Sequence, residues 1–220
     1  MTDTYGKIEF SNNNTFHQFV DDLESWEWVG SNKIHKTALI DWEHVEIGEN
    51  NTIGPYCVIG ADAQSVKLKS KGIITIGDNN IFREAVSVNR PTEWSELTAI
   101  EDNCYLMINA HIAHDNYIES NCVISNNTAL GGHVYIMRNT QIGFNVSVHQ
   151  YNVIGSYCMF GLGAVVTRAA DLKCGTLWHG NPARFQKFNE VGLQRNNLAV
   201  EDMKTENERR QSIIEERSKY

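Results

Sequence analysis

Large apolar residues recur along the middle of this chain with a period of six. Counting in sixes from Ile100 passes Leu106, Ile112, Ile118, Ile124, Leu130, Ile136, Ile142, Val148, Ile154 and Phe160 and ends at Val166. The position two before each of them is small or medium-sized, as at Cys104, Ala110, Thr128 and Ala164. Neither the turn of an amphipathic helix nor plain strand alternation produces this spacing. A parallel β-helix of hexapeptides does: each hexad supplies one short strand and one turn, and three hexads close a triangular coil. The large residue then points inwards and the small one lies near a corner. Ile47, Ile53 and Ile59 keep the same step, as do Ile76, Phe82 and Val88. The frame breaks at 61–71 and at 91–97, which predicts two loops ejected from the solenoid, and such departures are candidate functional loops.

The ends read differently. Thr15 with Gln18 forms a capping box, and Phe16, Phe19, Val20, Leu23 and Trp26 recur on one helical face, with Gly30 as a stop. This predicts a helix over 15–29 that covers the open end of the coils. From Ala183 onward the chain also reads as helix, its last twenty residues almost all polar, hence a solvated helix. The expected organisation is an N-terminal cap over 1–33, an all-β solenoid over 34–182 and a C-terminal helical segment over 183–220.

Composition narrows the function classes. The formal charge is −8, so nothing electrostatic draws the chain to nucleic acid or to an anionic membrane. The polar N-terminus lacks the apolar core of a signal peptide, and no run is long enough to span a bilayer, so the expectation is a cytoplasmic protein without membrane insertion. There is no Cys-x-x-Cys pair. Cys57, Cys104, Cys122 and Cys158 all fall on the small corner position and read as buried fillers; Cys174 has no assignment. Neither a metal nor another cofactor is expected.

A β-helix is only a scaffold, so function has to come from a site. Four of the eight histidines lie between His111 and His149. His114 and His133 are one coil plus one residue apart, which places them on neighbouring coils of one face. The run Leu106-Met-Ile-Asn-Ala-His-Ile-Ala-His-Asp115, with Gly131-Gly-His-Val134 and Ser147-Val-His-Gln150, closely resembles the UDP-N-acetylglucosamine O-acyltransferases that begin lipid A biosynthesis. The resemblance runs from about Ile34 to Arg195.

That resemblance implies a left-handed hand for the β-helix and a homotrimer with active sites between subunits. It implies acyl transfer from an acyl carrier protein or acyl-CoA thioester to a nucleotide sugar. His114 matches the general base of the family, Asp115 its neighbour in the site, and Gly132 the backbone donor to the oxyanion. A base is needed because a sugar hydroxyl is a poor nucleophile until its proton is taken, and an imidazole suits that task at neutral pH. His111, His133, His149, Gln150 and Asn181 match substrate-lining positions. Lys67 matches a lysine that reaches substrate from the first ejected loop. Arg195 matches a basic residue that receives a phosphate-bearing donor, with Arg184 and Lys187 beside it.

Three departures bear on specificity. The family's loop aspartate is Ser65 here, and its histidine after Val88 is Asn89. Leu162 stands where long-chain members carry glycine, which predicts a shorter acyl chain. Ser65, Asn89 and Leu162 keep open a sister activity, acylation of the amine of a nucleotide-linked amino sugar from an acyl-CoA. A zinc hydrase of the same fold needs two histidines five residues apart, a spacing absent from the repeat. A non-catalytic trimeric scaffold would leave the matched histidines and loop lysine unexplained.

Overall fold

The computed structural model describes residues 25–168 and 170–218. The hexads form short strands, most of two residues, in three sheets of ten, six and seven strands among the described residues. Within each sheet the solenoid strands pair in parallel with the strand one coil away. The sheets wind as a left-handed parallel β-helix. In the regular part the register step is one coil of three hexads: Ile112 pairs with Leu130, Leu130 with Val148 and Val148 with Val166. The inward residues Leu106, Ile112, Ile124, Ile136 and Phe160 are wholly buried, as are the small residues Ala110, Cys122, Thr128 and Ala164. Each inward side chain stacks on its equivalent above and below, so the core is one continuous apolar column.

The triangular path needs a left-handed backbone conformation once per hexad, at the residue just before the small position. Asn103, Asn109, Asn121, Asn127, Asn139 and Asn145 all adopt it, with φ between 56° and 63°. Asparagine tolerates this region better than most residues because its short side chain bonds locally.

The two frame breaks appear as jumps in register. Ile59 pairs with Val88 and Val88 with Ile112, steps longer than in the regular coils because the chain leaves the solenoid between them. Ser70 and Thr92 bridge the two excursions, and the Asn89 amide donates to the carbonyl oxygen of Asp62 at 2.8 Å, holding the base of the first.

Both ends differ from expectation. Residues 15–24 lie outside the described part. Trp26–Val29, expected at the end of that helix, is a β-strand paired antiparallel with Asn32–His35. The pairing sets the Trp26 ring edge-on to His35 at 5.1 Å and Lys33 4.5 Å from the Trp26 ring. These cross-strand contacts and the positive φ of Gly30 outweigh the helical spacing. At the other end Arg184–Phe188, expected as helix, is a strand antiparallel to Thr176–His179, with Phe185 against Trp178. Helix α1, Glu190–Arg195, follows, and then α2, Met203–Arg217.

Helix α2 is not a solvated helix. Met203, Arg210 and Ile213 are buried on the sheet that carries Tyr117, Tyr135 and Val153. Arg209 donates to the buried carboxylate of Glu119, which also accepts from the Tyr135 hydroxyl. Arg138 pairs with Glu206, and Arg210 bonds the Val153 carbonyl oxygen. The inward stripe of α2 is thus largely charged, which is why its hydropathy gives no sign of docking. Cys174 packs beneath this helix.

Candidate active site

One corner of the solenoid carries no asparagine at its left-handed positions in the regular coils. Its left-handed positions are Asp115, His133 and Tyr151, with φ of 62°, 61° and 64°. Aspartate and histidine accept this region less readily than asparagine, and tyrosine is an outlier there; each such residue stores strain of about 1–3 kcal/mol. The preceding residues on the same coils are His114, Gly132 and Gln150, so the same register that stacks the core stacks these three.

The corner is tightly ordered. His114 Nδ1 lies 2.6 Å from Asp115 Oδ2. The carboxylate accepts, so Nδ1 carries the proton; in the neutral ring Nε2 is then the acceptor. The His114 ring rests on Gly132, where a Cβ would stand 2.8 Å from Nε2 and displace the ring. The ring is 12% exposed, enough to meet a substrate but mostly removed from water.

Asp115 is itself fully buried. Its oxygens accept from the Thr92 N–H at 3.0 Å, the Thr92 hydroxyl at 2.8 Å and the Ser95 hydroxyl. Burial pushes its carboxyl up, but the bonds from His114, Ser95 and Thr92 and the charge of His133 outweigh this and hold it below the usual range. It is an anion that fixes the His114 ring. His133 Nε2 lies 3.3 Å from the same oxygen, yet burial drives its pKa down to about 4, so it is neutral at pH 7. His111 donates to or accepts from the Ser87 hydroxyl at 2.8 Å, and burial lowers its pKa too. His149 and Gln150 complete the corner, exposed, with His149 Nδ1 3.0 Å from the Gln150 carbonyl oxygen.

His114, Asp115 and His133 also present ligand atoms within 4.8 Å of one another, a spacing that suits a metal ion. The oxygens of Asp115 are already engaged by four donors, which leaves them little capacity for a cation.

Within the chain, none of the remaining expected site residues bonds to His114 or Asp115. Lys67 is exposed in the first loop and makes no hydrogen bond or ion pair among the described residues. Arg195 and Lys187 line a separate cavity of about 340 Å³ with Met159 and Phe188. Arg184 and Asn181 are exposed on the last coil. Leu162 is 62% exposed on a different corner, one coil beyond Phe144 and three beyond Ile108, both also exposed.

Sequence reasoning missed Thr92, Ser95 and Arg217. Arg217 Nη2, from the end of α2, donates to the carbonyl oxygens of Asp115 and His133. One signal was available: at this corner aspartate, histidine and tyrosine stand where the other two corners carry mostly asparagine.

No protein-family model matches the chain. Among solved structures, a UDP-N-acetylglucosamine acyltransferase from Bacteroides fragilis superposes with a TM-score of 0.74 at 34% identity, over 81% of this chain and 69% of that one. The chain belongs to the UDP-N-acetylglucosamine acyltransferase family. Two curated acyl-[acyl-carrier-protein]–UDP-N-acetylglucosamine O-acyltransferases are similar as well. The one from Synechocystis is 35% identical over 72% of this chain and 57% of its own length. The one from Gloeothece citriformis is 39% identical over 72% of this chain and 58% of its own. The chain therefore spans somewhat under three fifths of the length of these two curated relatives. Among the described residues, no helix is long and apolar enough to cross a membrane.

Proposed function

We propose that the protein transfers an acyl group, a 3-hydroxyacyl group of short to medium length, from an acyl carrier protein thioester to a hydroxyl of UDP-N-acetylglucosamine or a related UDP-sugar. The observation that carries this reading is the ordered pair His114–Asp115 set directly over Gly132. In the proposed reaction His114 Nε2 takes the proton of the sugar hydroxyl as its oxygen attacks the thioester carbonyl. Asp115 stabilises the imidazolium. The Gly132 N–H, which donates to nothing among the described residues, faces the developing oxyanion. Collapse of the tetrahedral intermediate forms the ester, breaks the carbon–sulfur bond and returns the proton from His114 to the departing thiolate. The thioester is already activated, so this chemistry calls on no metal or other cofactor.

Lys67, Arg195 and Asn181 do not bond to His114 within the chain, and in a homotrimer neighbouring subunits would bring such residues to the site. Leu162, with Phe144 on the same ridge, would shorten an acyl groove along that corner. The five cysteines are all free, as suits the reducing cytoplasm where this reading places the protein. A second reading, N-acylation of a nucleotide-linked amino sugar from an acyl-CoA, is favoured by Asn89, which is buried and committed to the loop backbone rather than presented to an acceptor.

The test is a panel of donors and acceptors on the purified protein, read by mass spectrometry. An ester on the UDP-sugar supports the first reading, an amide the second, and no transfer with any pair removes both. The His114→Ala variant is expected to lose at least ~10²-fold in rate; near-normal turnover would overturn the assignment of the base.

A further inference from the structure

A second opening reaches the catalytic corner from the side of α2. A cavity of about 320 Å³ lies between the corner coils and that helix. One wall is aromatic: the rings of His133 and Tyr151 stack at 4.6 Å with 9° between their planes. The Arg168 guanidinium lies over the Tyr151 ring, 5.2 Å from its centroid. Arg210 and Arg217 line the cavity from α2. Three guanidinium groups thus line one small cavity, and among the described residues no carboxylate lines it, in a chain whose formal charge is −8.

The two helix arginines are held in place. Arg210 Nε donates to the Val153 carbonyl oxygen at 3.1 Å and its Nη1 pairs with Asp171 at 2.9 Å. Arg217 is fixed by the Asp115 and His133 carbonyl oxygens at 3.2 and 3.1 Å. Arg168 is exposed and forms no ion pair among the described residues. Guanidinium forks whose orientation is set before binding suit a phosphate, which accepts two parallel hydrogen bonds. The stacked rings keep water from one side and strengthen such contacts.

We propose that this cavity binds the phosphate or diphosphate group of a substrate, with Arg168 as the direct ligand. Its use by a substrate rests on the acyl-transfer reading; binding of the anion does not. A phosphate is common to a UDP-sugar and to the phosphopantetheine arm of an acyl donor, and both would lie within reach of a corner that contains His133.

The experiment is a titration of the full chain followed by NMR at the Tyr151 ring and the Arg168 side chain. Inorganic pyrophosphate is added first, then UDP and 4′-phosphopantetheine as competitors. Pyrophosphate is expected to give saturable shifts at both residues. Arg168→Gln is expected to weaken binding at least about tenfold, the loss of one charge-assisted hydrogen bond. Lys204→Gln, exposed on α2, is the control and should leave the affinity unchanged. Displacement by UDP assigns the cavity to the acceptor, and displacement by phosphopantetheine assigns it to the donor. No saturable shift at these residues, equal affinity in Arg168→Gln, or displacement by neither competitor overturns the proposal. None of these readouts requires turnover, so a failed acyl-transfer panel would sink the activity reading and leave this result standing or falling by itself.

Discussion

Two kinds of corner share one backbone in this solenoid. At Asn103, Asn121 and Asn139, and again at Asn109, Asn127 and Asn145, the left-handed residue is the one that bears that conformation cheaply. At Asp115, His133 and Tyr151 the same φ is imposed on residues that bear it less well. The plain corners turn the chain. The third corner also turns it, and in addition places a buried carboxylate against His114 and a neutral imidazole beside it. The lesson is that a repeating fold can host chemistry without changing its path. It needs only other side chains at a position whose geometry the rest of the coil already enforces.

The largest expected break in this comparison is at the active corner. In Gly132→Ala the new Cβ meets the His114 ring, so the base must move away from Asp115. Initial-rate assays of acyl transfer should show a fall of at least ~10²-fold, comparable to the loss of one oxyanion donor. Full activity in this variant would mean that the ring is not held where the reaction needs it.

The next effect is on acid stability. The folded-state pKa of His133 is depressed to about 4, below the ordinary value of 6.5. Its stabilising contribution is therefore complete above about pH 6.5 and is lost as pH falls through 6.5 towards 4, because the unfolded chain takes up the proton first. A shift of that size corresponds to roughly 3 kcal/mol over the window. His133→Asn keeps a residue that tolerates the left-handed region. Urea midpoints measured at pH 7 and pH 5 should differ less in this variant than in the wild type; an unchanged difference would place the acid sensitivity elsewhere.

The smallest effect belongs to a plain corner. Asn127→Ala keeps a left-handed residue without the local bonding that makes it cheap, at a cost of about 1 kcal/mol. Thermal unfolding should register this, while turnover per folded molecule stays at the wild-type level. A loss of turnover would show that the plain corners are not merely structural.

The hexad period is legible because every coil must bury the same inward column. A repeated core leaves a repeated sequence. The loops were legible as breaks in that period, but their content was not. Thr92 and Ser95 matter because the chain returns from its excursion against Asp115, twenty or more residues later in sequence. The strand at Trp26–Val29 and the docked face of α2 were misread for a related reason. In each, partners far along the chain decide the outcome: Asn32–His35 for the strand, and Glu119, Val153 and Asp115 for the helix.

Sequence by itself determined the coil, its inward column and the histidine run around His114, since these depend on local spacing and on residue type. Only the tertiary structure decided which donors hold Asp115, that His114 leans on Gly132, and that α2 reaches the catalytic corner. Hydrogen bonds and burial across coils have no period in the sequence. They follow from where three-dimensional winding brings distant residues together.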